Sequence, residues 1–300
     1  MTSTIGQRRS RFRLNRLDGI LLVGLVAAAG WMWYRSAIGV AYRWDWPQAL
    51  STVFAAGDAG ETPFFLTGIY ATLRLSLWGA VLASILGVLI GVGRYAGGRT
   101  LRMFCGTYIQ ILRNIPPLVF IFIFYFFISS QLMPLLGLDA LFSRPAEEAT
   151  GWQRFLFGPP ALWENLVSGV LCISFISAAY IAEVVRAGLA AIPRGQWEAG
   201  ESLGIPVLDR YRFVIFPQAL ARIAPPLTGQ YISLVKDSSI VSLISVQELT
   251  FVGSEIANSS GLLFEVWLLV AFVYFLLCLS LSILLRQVER RMTRHFHQFA

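Results

Sequence analysis

The side chains of this 300-residue chain with most chemistry to offer are charges set inside apolar stretches. Lys236 and Asp237 stand side by side, followed by Ser238 and Ser239 and preceded by Gln230. Arg74 lies among Leu73, Leu75 and Leu77, and Arg113 shortly precedes Pro116 and Pro117. A charge at the centre of a bilayer costs roughly 2.5–3.5 kcal/mol on insertion scales, so each needs a partner or a wet cavity. For Lys236 and Asp237 two readings stay open: a pair satisfied within the protein, or an ion or ligand site in a pathway. Thr72 and Ser76 could line a wet face with Arg74 across a helical turn. Its guanidinium either faces a water-filled pathway, where it would favour an anionic group, or pairs with an acid on a neighbouring helix or on a partner permease. Arg113 reads as an anchor near the membrane surface, and Glu183 with Arg186 as a local ion pair or subunit contact.

These residues need membrane-spanning helices to hold them. The chain is 56% hydrophobic and 14% charged, against about 25% charged in soluble domains, so it lacks the polar surface to cover itself in water. Uncharged windows at 19–34, 75–93, 114–138, 165–182 and 266–285 approach or exceed the ~20 residues of a spanning helix. A sixth segment, 219–246, is apolar but carries Pro225, Pro226, Thr228 and Gln230, which mark an interrupted helix of the kind found at transporter sites. The fold class is therefore all-α and polytopic, with about six transmembrane helices.

Charge sets the orientation. Clusters such as Arg8, Arg9, Arg11, Arg13 and Arg16, or Arg286, Arg290, Arg291 and Arg294, put seventeen basic residues on one side. The opposite loops hold four: Arg35, Arg43, Arg144 and Arg154. The positive-inside rule then places both termini in the cytoplasm. Arg8-Arg9 ahead of Ala27-Ala28-Ala29 resembles an export signal and is read as a signal anchor. The net charge of +7 follows from these loops; no basic patch interleaved with aromatics points to nucleic acid.

Several chemistries are excluded by absence of their motifs. Lys236 is the single Lys and is followed by Asp, so no P-loop can form. Cys105, Cys172 and Cys278 lie far apart, and the two His residues, His295 and His297, stand together near the C-terminus. That spacing offers no zinc site and no disulfide framework. No Gly-x-Ser-x-Gly elbow or His-Glu-x-x-His occurs. The chain reads as a transport or channel component rather than an enzyme, with no cofactor or metal.

The cytoplasmic stretch between the fourth and fifth spans carries the most specific local signal. Residues 196–203 predict a short amphipathic helix, Gly204 a turn with φ > 0, and Pro206 the start of a second short helix. Such a helix–turn–helix is either an ordinary capped connector or a knob for a soluble partner.

Glu198, Ala199, Gly204 and Pro217 resemble, at matching spacing, the Glu-Ala-Ala-x3-Gly-x9-Ile-x-Leu-Pro loop of ABC importer membrane subunits. Gly200, Val214 and Phe216 depart from that pattern by small or apolar swaps. The stretches 66–76, 113–118 (Arg-Asn-Ile-Pro-Pro-Leu), 178–186 (Ala-Ala-Tyr-Ile-Ala-Glu-Val-Val-Arg) and 236–239 (Lys-Asp-Ser-Ser) resemble the polar amino acid branch of the same family.

The resemblance implies a type I ABC importer-like fold. Its domains would be a tail with an extra first span over 1–62, a permease domain over 63–286 with a coupling loop at 194–217, and a tail over 287–300. It implies separate ABC ATPase subunits seated on Glu198, Ala199, Gly200, Gly204 and Pro217. It further implies a second permease subunit, an extracytoplasmic substrate-binding protein and surrounding membrane lipid. Lys236, Asp237, Ser238, Ser239, Arg74 and Gln230 would line the pathway. Lys236 and Asp237 would complement the carboxylate and ammonium of an amino acid, with Arg74 admitting glutamate or aspartate. The rival is a self-sufficient secondary transporter or channel using Lys236 and Asp237 as an ion site.

Overall fold

The computed structural model describes residues 16–39, 42–55, 62–135, 137 and 150–293. Arg8, Arg9, Arg11, Arg13, Arg144, Arg294, His295 and His297, singled out above, lie outside the described residues, as do residues 138–149. The described residues form helices and connectors, with no strand among them.

Helix α1 (Arg16–Gly39) belongs to a first compact unit that ends at Asp45. Its apolar stretch, Leu17–Met32, is shorter than a full span, and Leu21, Val23, Leu25 and Trp31 are all more than 60% exposed. The second unit begins with α2 (Trp46–Val53). It continues through α3 (Phe64–Ala96), the amphipathic α4 (Arg99–Asn114), α5 (Pro117–Ile123), a π-helical turn (Phe124–Ser129) and α6 (Ser130–Leu135). Next come α7 (Gly151–Phe157), α8 (Trp163–Ala190), α9 (Arg194–Ser202) and α10 (Val207–Asp209). A π-helical turn (Arg210–Ile215) leads into α11 (Phe216–Asp237), which tightens into a 3-10 segment (Ser238–Ile244) before α12 (Leu249–Ser260) and α13 (Leu263–Thr293).

Four segments are long and apolar enough to cross a membrane: Phe64–Ala96, Pro117–Leu135, Gly151–Ala190 and Leu263–Arg291. A fifth is a pair, Val207–Ile244 and Leu249–Ser260, bent by 53°. Most of α13 is exposed, including Leu268, Phe272, Phe275 and Leu279, as expected of a helix that faces hydrocarbon.

The centre of the second unit is the pairing of α3 with α8. Without a hydrophobic drive between helices in lipid, close packing needs small side chains. On α3 the buried positions Gly68, Thr72, Ser76, Gly79, Ala83, Gly87 and Gly91 fall three or four apart, forming one small-residue seam. Ala178, Ile181, Ala182 and Val185 of α8 fill its Gly87–Gly91 end, and Leu249 and Val252 of α12 meet Gly68 at the other. A Cβ at Gly91 would stand 2.6 Å from the Ala182 carbonyl oxygen, and one at Gly87 2.5 Å from Ile181 Cγ2. Ser174 donates to the Gly79 carbonyl across the same seam, at 3.2 Å.

One element departs from the sequence reading. Pro225 and Pro226 do not interrupt their helix; α11 runs through both to Asp237. Pro is tolerated inside membrane helices where neighbours hold the backbone, and α11 is packed along α8 and α13. The interruption comes later, where three serine hydroxyls take carbonyls three residues back: Ser238 to Val235, Ser239 to Lys236 and Ser242 to Ser239, each at 2.7 Å. Such local bonds compete with the α-helical ladder. Ser245, with φ 60°, then turns the chain toward α12.

The seam makes a direct prediction. Gly91→Leu should destabilise the purified protein by about 1–3 kcal/mol through overpacking, read as a lower melting temperature in detergent. Gly106→Ala, where an added Cβ meets nothing within 4 Å, should leave it unchanged or slightly raised.

Candidate coupling and translocation site

The loop after α8 is rigid for reasons visible in its backbone. At the end of α9, Ile205 N–H donates to the Gly200 carbonyl at 3.0 Å and Gly204 N–H to the Glu201 carbonyl at 2.9 Å. With Gly204 at φ 69°, this is a Schellman motif, and it satisfies carbonyls the helix would otherwise leave open. Gly200 is buried beneath Arg210, whose Cγ would stand 3.0 Å from an added Cβ. Arg210 then reaches back to the Ile205 carbonyl at 3.3 Å and to the Glu201 carboxylate at 3.5 Å. Pro217 sits in the first turn of α11, where a missing N–H costs nothing.

Trp197 ties this knob to the rest of the chain. Its ring centroid lies 5.0 Å from Tyr211, edge on, and 6.3 Å from Tyr95 at the end of α3. Gln218 donates to Gln196 at 3.1 Å, and Arg222 donates to the Ala191 carbonyl. What remains outward is Glu198 and Ala199 together with Leu203 (77% exposed) and Leu208 (78% exposed). A polar connector has no reason to expose these two leucines on a rigid turn; a docking knob does. Sequence reasoning missed Trp197, Tyr211 and Tyr95. The one available signal was a tryptophan in an otherwise polar nine-residue helix, and its partners are too distant in the chain to be read locally.

The expected pathway residues do not form one cluster. Lys236 and Asp237 are exposed at the end of α11, with no ion pair to each other or to any other described residue. Ser238 and Ser239 turn their hydroxyls back onto their own helix. Gln230 is half-buried on the same helix.

Arg74 lies elsewhere, beside a small cavity with Asn165 and Gln247. Its guanidinium is engaged by backbone and not by an acid: Nε donates to the Phe155 carbonyl at 2.8 Å and an Nη to that of Arg154 at 3.2 Å. Trp78 Nε1 donates to the next carbonyl, Leu156, at 3.1 Å, and its ring stacks on Phe157. Arg74 and Trp78 thus cap the C-terminal end of α7, where helical carbonyls lack partners and the helix dipole favours a cation. Among the described residues no acid pairs with Arg74, and its donors hold α7 against α3.

A cavity of about 720 Å³ lies between α3, α11 and α13 and presents hydroxyls from Thr72, Ser76, Ser84 and Tyr231 among leucines. Ser84 and Tyr231 share a 2.7 Å hydrogen bond. Beneath it lies a polar cluster that sequence reasoning also missed. Glu248 is fully buried; Oε1 accepts from Phe251 N–H at 3.0 Å, capping α12, and Oε2 accepts from the Tyr274 hydroxyl at 2.5 Å. Thr72 donates to the Gly68 carbonyl and accepts from Leu249 N–H at 3.1 Å. Three helices, α3, α12 and α13, meet on this one carboxylate.

Near the Arg-rich end of α3, Glu183 binds Arg186 at 2.6 Å and Arg94 at 3.5 Å, the local pair expected from spacing. Arg113 lies over Tyr180, 5.5 Å from its ring centroid.

A polytopic helical membrane protein with a rigid, outward knob between two spans is the class this geometry defines. The chain belongs to the family of binding-protein-dependent transport system inner membrane components, whose model matches residues 62–294. It is thus a multi-pass inner membrane component of a transport system and not itself the ATPase. It is 32% identical to the glutamine transport system permease protein GlnP of Escherichia coli over 77% of this chain and 93% of that one. It is 28% identical to the glutamate/aspartate import permease protein GltK of Escherichia coli, over 83% and 99%. Among solved structures, an amino acid ABC transporter with histidines matches with a TM-score of 0.63 and 27% identity, covering 83% of this chain and all of that one. Membership favours a component of an ATP-driven system over a self-sufficient secondary transporter or channel.

Two outcomes follow from the contacts. Glu248→Ala should cost about 1–3 kcal/mol, because Phe251 N–H and the Tyr274 hydroxyl lose their acceptor in a dry site, whereas Glu248→Gln keeps an acceptor and should lose less; thermal melting of both variants checks this. Arg74→Gln should loosen α7, read as faster proteolysis around residues 150–158, and lower uptake of acidic and neutral substrates equally, measured by competition assays.

Proposed function

We propose that this chain is the permease subunit of an ATP-driven importer of polar amino acids. The observation that carries it is the knob at 194–217: a Schellman-capped helix, clamped by Trp197 and Arg210, that presents Glu198, Ala199, Leu203 and Leu208 outward. A separate ATPase subunit would receive this knob, with Gly204 setting its angle and Pro217 starting the helix behind it. ATP binding would draw two such knobs together and rotate two permease subunits about their interface, opening the pathway outward. An extracytoplasmic binding protein would deliver the cargo, and lipid would cover α13.

The orientation that fits is the one with the Arg-rich loops and both termini in the cytoplasm. The domain limits that fit are 63–286 for the permease, with 1–62 and 287–300 flanking it. For cargo, amino acids are supported by the relatives GlnP and GltK and by the solved amino acid transporter. Lys236 and Asp237, which form no ion pair among the described residues where α11 loses its α-helical ladder, would offer a cation and an anion to a zwitterion, with Ser238, Ser239 and Gln230 also lining the pathway. Acidic cargo rests on the likeness to GltK alone, since Arg74 is committed to backbone carbonyls.

The test is reconstitution with the cognate ATPase. Gly204→Leu forces a side chain into φ 69°, costing about 1–2 kcal/mol at the turn. With Glu198→Arg it should leave membrane insertion intact and abolish stimulation of ATP hydrolysis by the loaded binding protein. Wild-type stimulation in both variants would refute the assignment.

A further inference from the structure

A cleft of about 750 Å³ opens between the end of α3, the length of α4 and the end of α8, remote from the hydroxyl-lined cavity. Arg94, Arg102 and Arg186 line it with Thr107 and Gln110, and no acidic residue is among its lining. Glu183 binds Arg186 at 2.6 Å and Arg94 at 3.5 Å, which leaves three guanidiniums against one acid. Arg102 makes weak bonds, 3.4 and 3.5 Å, to the Gly97 and Tyr95 carbonyls. Most of the guanidinium donors in this cleft are therefore without a strong acceptor, in a site at the Arg-rich end of the spans.

Helix α4 explains what such a cleft could hold. One face, with Cys105, Ile109 and Leu112, is buried, and Tyr108 fixes it to α8 through the Phe175 carbonyl at 2.7 Å. A second face, Arg102, Gly106, Thr107 and Gln110, forms the wall of the cleft. Met103, which also lines the cleft, is 65% exposed, and Phe104, the next residue round the helix, is 73% exposed, so an open apolar surface adjoins the cations. Cations beside exposed apolar side chains, on a helix at the end of a membrane span, match an ionised phosphate joined to hydrocarbon. A free anion would use the arginines and leave Met103 and Phe104 without a role.

We propose that this cleft binds the phosphate headgroup of an anionic phospholipid, with Arg94 and Arg102 contacting the phosphate, Thr107 and Gln110 donating to its oxygens, and the acyl chains lying over Met103 and Phe104. Gly106 keeps the wall low: an added Cβ there would meet nothing, so the floor of the cleft is open to a headgroup. Both lipid classes carry an ionised phosphodiester that arginines bind by charge-assisted bonds; the quaternary ammonium of a zwitterionic headgroup is repelled by the same three guanidiniums, so the cleft favours anionic lipid.

The test uses the full chain purified in neutral detergent, with binding of phosphatidylglycerol and phosphatidylcholine read by native mass spectrometry and thermal melting. It requires neither transport nor ATPase, so its failure and that of the importer reading are separable. Arg102→Gln should weaken phosphatidylglycerol binding about fivefold, the effect of one surface cation on an anionic headgroup, and leave phosphatidylcholine unchanged. Gln110→Glu keeps every arginine and should produce a similar loss by repulsion. Arg286→Gln, on the distant α13, should behave as wild type. Equal phosphatidylglycerol binding by wild type, Arg102→Gln and Gln110→Glu would overturn the proposal, as would an equal loss in Arg286→Gln, which would mean diffuse surface charge. Displacement of the lipid by excess inorganic phosphate would overturn it in favour of a free-anion site.

Discussion

Every backbone N–H and C=O inside a bilayer needs a partner from the protein, and an unpaired one costs several kcal/mol. An all-helical chain answers this along its helices and leaves the problem at their ends and breaks. In this protein those are the places where polar side chains gather. Ser238, Ser239 and Ser242 take carbonyls where α11 gives way to the 3-10 segment. Arg74 and Trp78 take three consecutive carbonyls at the end of α7. Glu248 takes the amide of Phe251 at the start of α12, and Gly204 lets the backbone close α9 on itself. The charged and polar residues that look functional in an apolar sequence therefore divide into those spent on backbone and those left over.

That division shapes the reading of the site. Arg74, judged from its depth in a span, is a candidate for contact with cargo; in this chain it donates to two backbone carbonyls of α7. Lys236 and Asp237 are not absorbed, and they stand where the helix changes its winding. The coupling knob shows the same logic in reverse. Its backbone is satisfied internally by the Schellman closure and by Arg210, so its outward side chains are free to be apolar, with Leu203 and Leu208 among the most exposed leucines of the chain. Rigidity here matters for transmission, because a knob that yields cannot convert the closure of a partner into movement of helices.

Much of this was legible without coordinates. Apolar windows located α3, α8 and α13, and the turn residues Gly204 and Pro206 located the knob, because both signals are local: hydropathy needs about twenty contiguous residues, and a left-handed turn needs a glycine. The spacing of Glu183 and Arg186 likewise announced their contact. The Pro225-Pro226 pair misled because proline acts on the helix through missing donors, and whether the helix breaks depends on the neighbours that hold it. Trp197, Trp78, Glu248 and Tyr274 escaped notice because each draws its meaning from residues tens to more than a hundred positions away in the chain.

The sequence by itself determined the class of protein, the apolar windows of its spans, and the loop that carries the knob, since composition and short-range geometry dictate these. Tertiary structure alone decided which polar side chains are spent. The small-residue seam of α3 brings α8 within backbone contact, that approach places Arg74 and Trp78 against α7, and Thr72 against Glu248. In a medium with no water to serve as a partner, which groups come within 3 Å of one another settles what each can do, and no local pattern in the chain records those distances.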